Sequence, residues 1–473
     1  MSAAPDDAEG SLYAARQKVY PRAVSGTFSR LRIIAVCGLL GAFYGLPWIQ
    51  WRGQQAILFD LPARKFHLFG LIFFPQDFYL LAWLLVIAAV SLFFFTALAG
   101  RLWCGYACPQ TVWTDVFVRI ERWCEGTRQQ QMKLDRAPWS AHKLLRKGGK
   151  QLLWVGFATY TGITFVGYFS AIRELVPAVF TASLGGWETF WIAFYGFATY
   201  GNAGYMREQV CKYMCPYARF QGAMFDRNTL VISYDGSRGD PRGSRARGAN
   251  AQEQGLGDCI DCTLCVQVCP TGIDIRNGLQ LECIACAACI DACDNVMDRM
   301  RYPRGLIRYT TQNSVDGKKV RLARPRTAIY GALLLALVLG FGIAVAQRRL
   351  IEVDVLRDRN SLFRQLDDQM VENVYTVRLI NKDTRAHTMR LTTKGLPDAV
   401  LDPEGTQQYV AAGAVVSVPI RIRAPNHAVR GAQALQIVAR AEDGSAIEST
   451  AEARFLAPTS TAPTSEAHSA PGR

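Results

Sequence analysis

Apolar residues are distributed along this chain in two different ways. In five places they run almost uninterrupted: Leu31–Trp48, Phe78–Ala99, Leu152–Ile172, Trp187–Tyr205 and Thr327–Ala346. A hydrocarbon core about 30 Å thick needs roughly 20 apolar residues of helix. Each stretch is nearly free of charge and flanked by Arg, Lys, Trp or Tyr, so five transmembrane helices are predicted. Beyond Gln347 the pattern becomes alternation. "VYTVRLINKDTRAHTMRLTTKG", "VVSVPIRIRAP" and "ALQIVARAEDGSAIESTAEARFLAP" alternate apolar and polar positions over strand lengths, with turn signals at "NKDT", "KGLPD" and "EDGS". This region, which holds no cysteine, predicts an immunoglobulin-like β-sandwich over 350–457. The final segment, 458–473, has the composition of a disordered tail.

The segment "QQAILFDLPARKFHLFGLIFFPQD", Gln54 to Asp77, is apolar but interrupted by Asp60, Arg64, Lys65 and His67 and broken by Pro62 and Pro75. It predicts an interfacial or re-entrant hairpin rather than a span. A quinone- or metal-binding role for His67 or Asp77 stays open, with anchoring at the membrane surface preferred.

Charge orients the layout. The tail before the first span holds Arg16, Lys18, Arg22, Arg30 and Arg32, and ten Lys/Arg lie between Arg101 and Lys150. The connection before the fifth span is also basic, with "SRGDPRGSRARG" and "GKKVRLARPR". The loops after spans one and three carry only Arg52, Arg64 and Lys65, and Arg173. The positive-inside rule then puts the N-terminus in the cytoplasm and the sandwich in the periplasm, against the sign of Arg348 and Arg349. The net charge of +14 reads as topology and contact with membrane lipid. No nucleic-acid motif accompanies it, and nucleic acid is not an expected partner.

Eight of fourteen cysteines fall in two short runs, "CIDCTLCVQVCP" from Cys259 and "CIACAACIDACD" from Cys283. Disulfide frameworks belong to small secreted domains, and the opening "MSAAPDDAEG" has no signal-peptide pattern. Zinc ribbons use two C-x-x-C pairs across a longer gap. Three thiols at steps of three, then one at a step of four, is the bacterial ferredoxin spacing for two 4Fe–4S clusters. Three thiolates from one run wrap three irons of a cube, and the other run supplies the fourth ligand. Cys259, Cys262, Cys265 and Cys293 are therefore assigned to one cluster, and Cys283, Cys286, Cys289 and Cys269 to the second. Cys293 departs from the pattern, being followed by Asp294 where Cys269 is followed by Pro270.

Two further motifs, "LWCGYACPQ" and "QVCKYMCPYA", stand at the cytoplasmic ends of the second and fourth predicted spans. Both read C-x-x-x-C-P, with Cys104 and Cys108 in the first and Cys211 and Cys215 in the second. The recurrence, with "GFATY" repeated at Gly156 and Gly196, suggests two related helical hairpins. Thiols four apart share a face if the motif is helical. If proline opens a new helix, the preceding Cys is its N-cap. Lone Cys37 and Cys124 read as packing residues. None of the five histidines lies in a predicted span, so no haem is expected. No dinucleotide fingerprint is present, and no flavin is expected.

The expected fold is thus a multi-domain membrane protein. A cytoplasmic tail (1–30) leads into a four-helix membrane domain (31–235), a basic linker (236–254) and a ferredoxin-like insert (255–302). The fifth span (327–346), the sandwich and the tail follow. In this order, together with "FDLPARKFHLFG" and "WCGYACPQTVW", the chain resembles the cytochrome c oxidase accessory proteins, the CcoG/FixG/RdxA family. The resemblance runs from about Val19 to Pro458. It implies a bacterial inner-membrane oxidoreductase that reduces Cu(II) to Cu(I) for copper delivery during oxidase assembly. Copper is then the substrate, and Cys104, Cys108, Cys211 and Cys215 are the copper-facing, catalytic groups. Oxidase assembly factors, or a copper transporter or chaperone, are the implied partners, with an electron donor left unnamed. Soft thiolates favour Cu(I), which makes the assignment chemically reasonable. The alternative is a quinol-linked electron-transfer subunit of the NapH kind, which shares the spans and the C-x-x-x-C-P pairs.

Overall fold

The computed structural model describes residues 18–246, 252–321, 323–358, 361–366, 369–403 and 407–459. Most of the predicted N-terminal tail, part of the basic linker and nearly all of the predicted disordered tail lie outside them. The chain forms two compact units, one from Met1–Ile49 and Trp83–Leu339, the other from Gln50–Ala82 and Gly340–Arg473.

Among the described residues, three helices are long and apolar enough to cross a membrane: Thr27–Trp48, Pro75–Ala99 and Pro325–Ala346. They contain the first, second and fifth predicted spans. The expectation of five is corrected at the other two. The third forms within a helix, Ala141–Val166, whose first half carries Lys143, Arg146, Lys147 and Lys150 and which ends six residues before the predicted limit. The fourth is α-helical only over the 14 residues Gly186–Thr199, then loosens into a π-helical turn at Tyr200–Met206. These two helices pack closely. A Cβ on Gly162 would sit 2.4 Å from the Ile192 carbonyl oxygen, so glycine is required there. The repeated "GFATY" is not structurally equivalent. Gly196 faces the Ala158 backbone, whereas a Cβ on Gly156 would meet open space.

The iron–sulfur region follows in the same unit. Strands Val231–Tyr234 and Ile307–Thr310 pair antiparallel and bracket both cysteine runs. Ile232, Ile275, Ile290 and Ile307 form its core beside Cys265. The stretch before the first apolar helix ties onto this region: Arg22 donates its backbone N–H to Gln267 O, and Asn295 donates to Ser25 O.

The second unit is a β-sandwich. One sheet orders Val400–Asp402, Val415–Pro425, Met370–Asn381 and Ile351–Arg357, with Arg364–Gln365 added to the third strand. The other orders Gln407–Val410, His387–Lys394, Ala432–Ala441 and Glu448–Leu456. Inward positions alternate along each strand, and Val377, Leu379, Met389, Leu391, Ile420 and Ile437 are fully buried between the sheets.

The loop before the second apolar helix departs from its expected form. It forms a three-stranded antiparallel sheet, Ile57–Asp60, Lys65–Leu68 and Leu71–Phe73. Its apolar side chains have a protein surface to cover: Ile72 and Phe74 bury against Ile380 of the sandwich. Asp77, open as a binding residue in the sequence, is a buried ion-pair partner of Lys382 at 2.7 Å. His67 sits half-buried in the middle strand, where burial and Lys65 hold its pKa below the usual histidine value.

Candidate iron–sulfur and thiol site

The two cysteine runs fold alike. In the first, Asp261 and Thr263 on either side of Cys262 have φ of 51° and 55°. In the second, Ala285 and Ala287 flank Cys286 with φ of 54° and 60°. Left-handed residues are uncommon without glycine, and their recurrence at matched positions marks one loop used twice. Such alternation turns backbone N–H groups into a concavity that suits an anionic cluster. Short helices then begin at Leu264 and Ala288. Pro270 follows the first helix, whereas Asp294 lets the second continue to Met300 and accepts the Gly305 N–H at 3.0 Å. The missing proline therefore changes the length of a helix and not the placement of Cys293.

Each loop lines a small cavity. Cys259, Cys262, Cys265 and Cys293 line one, with Ile260, Leu264 and Met297. Cys269, Cys283, Cys286 and Cys289 line the other, to which Cys265 also contributes. Among the described residues, no three His, Cys, Asp or Glu converge tightly enough for a single metal ion. The thiols surround a space rather than a point, an arrangement that fits a cube with an iron at each corner. Burial pushes the Cys265 thiol up to about 11 and those of Cys283 and Cys293 to about 12, with neighbouring sulfurs adding to the rise. A metal cluster would supply the positive charge that holds them as thiolates.

The second pair of motifs is brought to the same place. Cys104 lies in the short helix Leu102–Tyr106, and Cys108 is the N-cap of Pro109–Glu125. Cys211 lies in the π-helical turn Val210–Met214, and Cys215 is the N-cap of Pro216–Ala223. Proline thus opens a helix in both motifs, but the residues before it differ, helical in one and π-helical in the other. The two are tied together by Gln110, whose side chain donates to Asn202 O at 2.9 Å and Arg207 O at 3.1 Å. Arg207, between the two π-helical turns, has φ 41° and is anchored by Glu121 at 2.7 Å. Burial raises the Cys104 thiol to about 12 and the Cys211 thiol to about 11; nearby thiols push the same way and Arg101 opposes them. Burial also raises Cys108, against the backbone N–H groups of Thr111 and Gln110. Cys104 donates to Gln221 Oε1 at 3.3 Å.

Cys104 and Cys211 pack directly against the second cluster loop, on a core of Val268, Ile284, Cys286, Ala288 and Ala292. Several residues that sequence reasoning missed make this junction. Gly105 abuts the backbone of Ile284 and Ala285. Tyr309 donates to Ala285 O at 2.6 Å. Buried Arg101 reaches the carbonyls of Leu281 and Ala218. Asp291 accepts the Phe28 and Ser29 N–H groups at the start of the first apolar helix. Arg101, Gly105 and Asp291 carried a signal, by lying beside or inside a cysteine motif. Cys37 is exposed and Cys124 partly so.

Comparison with known proteins agrees with this layout. Residues 206–312 match a family model described as a 4Fe–4S dicluster domain, and residues 81–125 match one described as a 4Fe–4S binding domain. Residues 341–458 match the model of the IG-like fold at the C-terminus of FixG. The nitrogen fixation protein FixG of Rhizobium meliloti is 40% identical over 433 residues, covering 84% of this chain and 83% of FixG. From Cereibacter sphaeroides, RdxB is 41% identical over 415 residues, covering 85% and 87% of the two chains, and RdxA is 40% identical over 433, covering 88% and 91%. With its dicluster loops, apolar helices and C-terminal sandwich, the chain belongs to the FixG/RdxA family of iron–sulfur electron-transfer proteins.

Proposed function

We propose that this protein is a cupric reductase of the bacterial inner membrane. In this reading Cys259, Cys262, Cys265 and Cys293 hold one 4Fe–4S cluster, and Cys269, Cys283, Cys286 and Cys289 hold the other. Bound there, the clusters would supply electrons one at a time at low potential. The observation that carries the reading is the packing of Cys104 and Cys211 on the second cluster loop. Cys104 and Cys211, with Cys108 and Cys215 nearby, would offer copper a pair of soft thiolate ligands, which stabilise Cu(I) over Cu(II) and so favour its reduction. Gln110 and Arg207 keep the two thiol pairs in one place.

The charge asymmetry of the loops supports a cytoplasmic N-terminus and iron–sulfur region with the sandwich in the periplasm. The packing of Ile72 and Phe74 on Ile380 is consistent with it, since the Gln50–Asp77 loop and the sandwich then share one side of the membrane, whichever side that is. Reduced copper would pass to oxidase assembly factors, a transporter or a chaperone.

Anaerobic titration of purified protein with Cu(II) and a Cu(I)-specific chelator, with and without quinol, tests the function. The expected result is Cu(I) formed in proportion to reduced iron, about eight irons and eight sulfides per chain. Failure to reduce copper, with quinol oxidised instead, would establish the quinol-linked alternative.

A further inference from the structure

Cys211 stands in the wall of a cavity of about 230 Å³. The cavity lies between the stretch before the first apolar helix, the first turns of that helix, the helix Pro109–Glu125 and the second cluster loop at Ile284 and Ala288. Its volume is just under the roughly 300–1,000 Å³ usual for small-molecule sites. Val19, Ile33, Val118 and Val268 give it apolar walls.

The charge of the lining is lopsided. Arg22, Arg32, Arg119, Arg122 and Arg207 face Asp115 and Glu208 only. Asp115 is already held by Arg119 at 2.7 Å and approached by Arg32 at 3.7 Å, and Arg207 is paired with Glu121. Among the described residues, Arg22 and Arg122 have no carboxylate partner, Arg122 donating one N–H to Pro21 O at 3.0 Å, and the buried Nε of Arg32 has no hydrogen-bond partner. A bare dication would be repelled along this route to the thiol, whereas an anion would be drawn in.

We propose that this cavity is the substrate entrance, and that copper enters it as an anionic carboxylate chelate and not as the aqua ion. This rests on the cupric reductase reading and names the form of its substrate. The guanidinium groups of Arg22 and Arg122, neither of which is neutralised by a carboxylate, bind the chelate's carboxylates. One electron from the protein's reduced iron–sulfur groups converts Cu(II) to Cu(I). Copper–oxygen bonds then break as a copper–sulfur bond forms at Cys211. The thiol proton goes to solvent, and the chelator leaves as the free anion.

Three probes separate the possibilities: copper(II) citrate, the neutral bis-histidine copper(II) complex, and aqua copper(II). Copper citrate should show the lowest KM. Arg122→Gln should raise its KM about tenfold, the worth of one charge contact, with kcat little changed and the bis-histidine complex unaffected. Calorimetry with redox-inert zinc(II) citrate should show binding to the wild type and loss of that binding in Arg122→Gln. If Arg122→Gln loses iron, the exposed Arg22→Gln takes its place in both measurements. Equal KM values for the three copper forms, or zinc citrate binding unchanged by both variants, overturns the anion entrance while leaving copper reduction standing. Reduction of none of the three overturns the copper reading itself, and zinc citrate binding then decides whether the cavity is an anion site at all.

Discussion

Gly105 and Ala285 touch backbone to backbone: a Cβ on Gly105 would lie 2.8 Å from the carbonyl oxygen of Ala285. The first C-x-x-x-C-P motif is therefore pressed against the loop that carries Cys283 and Cys286, at its one residue without a side chain. Gly105→Ala should force the two apart, because a carbonyl in a left-handed loop has no slack to give. The expected outcome is retained protein with distorted spectra of one cluster and slowed electron delivery. Electron paramagnetic resonance of the reduced protein checks it, and a wild-type spectrum and rate would show the contact to be dispensable.

Lys382 makes a second buried relationship, pairing with Asp77 at 2.7 Å and with Glu352 at 2.6 Å. Asp77 also accepts the Phe74 N–H at 3.1 Å, so it fixes the start of the second apolar helix. Lys382→Met leaves a buried carboxylate unpaired, which typically costs about 3–5 kcal/mol. Denaturant unfolding of the detergent-solubilised chain should show that loss. Adding Asp77→Asn should recover much of it by removing the stranded charge.

How much of this was legible in the sequence depended on the range of the contacts involved. The first, second and fifth predicted spans could be read because each is a long apolar run whose meaning needs no partner. The third and fourth misled because the helix Ala141–Val166 stops six residues short of the predicted limit without a break in the apolar run, and because the π-helical turn after Thr199 has no hydropathy signature. The loop at Phe66–Phe74 looked membrane-active since its apolar residues await Ile380, about three hundred positions away in the chain. Cysteine spacing told which thiols belong together, a local matter. It could not show that Gly105 and Tyr309 meet the second cluster loop, as each reaches it only through tertiary folding.

His387 gives the sandwich a defined pH response. It is buried, with Nδ1 2.5 Å from Asp443 and Nε2 3.0 Å from Asp383. Burial opposes its protonation, but the two carboxylates outweigh burial and raise its pKa above the ordinary 6.5. A group raised on folding stabilises fully below its unfolded pKa, and that contribution fades as pH rises through the folded value. Asp383 and Asp443 are held below the usual carboxylate value, so their contribution fades instead as pH falls toward acid. Protection of the His387–Lys394 amides from hydrogen exchange, corrected for intrinsic rates, should decline from pH 6 toward alkaline pH. His387→Gln should flatten that decline, and an unchanged slope would show that the imidazolium is not its source.

The division of labour between the two cysteine sets is the remaining test, and the structure sharpens it. Cys104 and Cys211 pack on the loop of Cys286, so a mutation at either could act on copper or on the cluster next door. The match of residues 81–125 to a 4Fe–4S binding domain makes the second outcome a real competitor. If the thiols serve copper, Cys104→Ala with Cys211→Ala should keep iron content and cluster absorbance while abolishing copper reduction. Removing soft sulfur ligands removes the preference for Cu(I) but leaves the cubes their own eight thiolates. Cys262→Ala or Cys286→Ala should lose iron first, since a cube short of one thiolate has an open, oxidisable iron. Cys286 is buried and should cost more iron than exposed Cys262, whose corner water can reach and ligate. Iron loss in the Cys104/Cys211 double variant would move those thiols from copper to the clusters. Full iron with full activity would reduce them to packing.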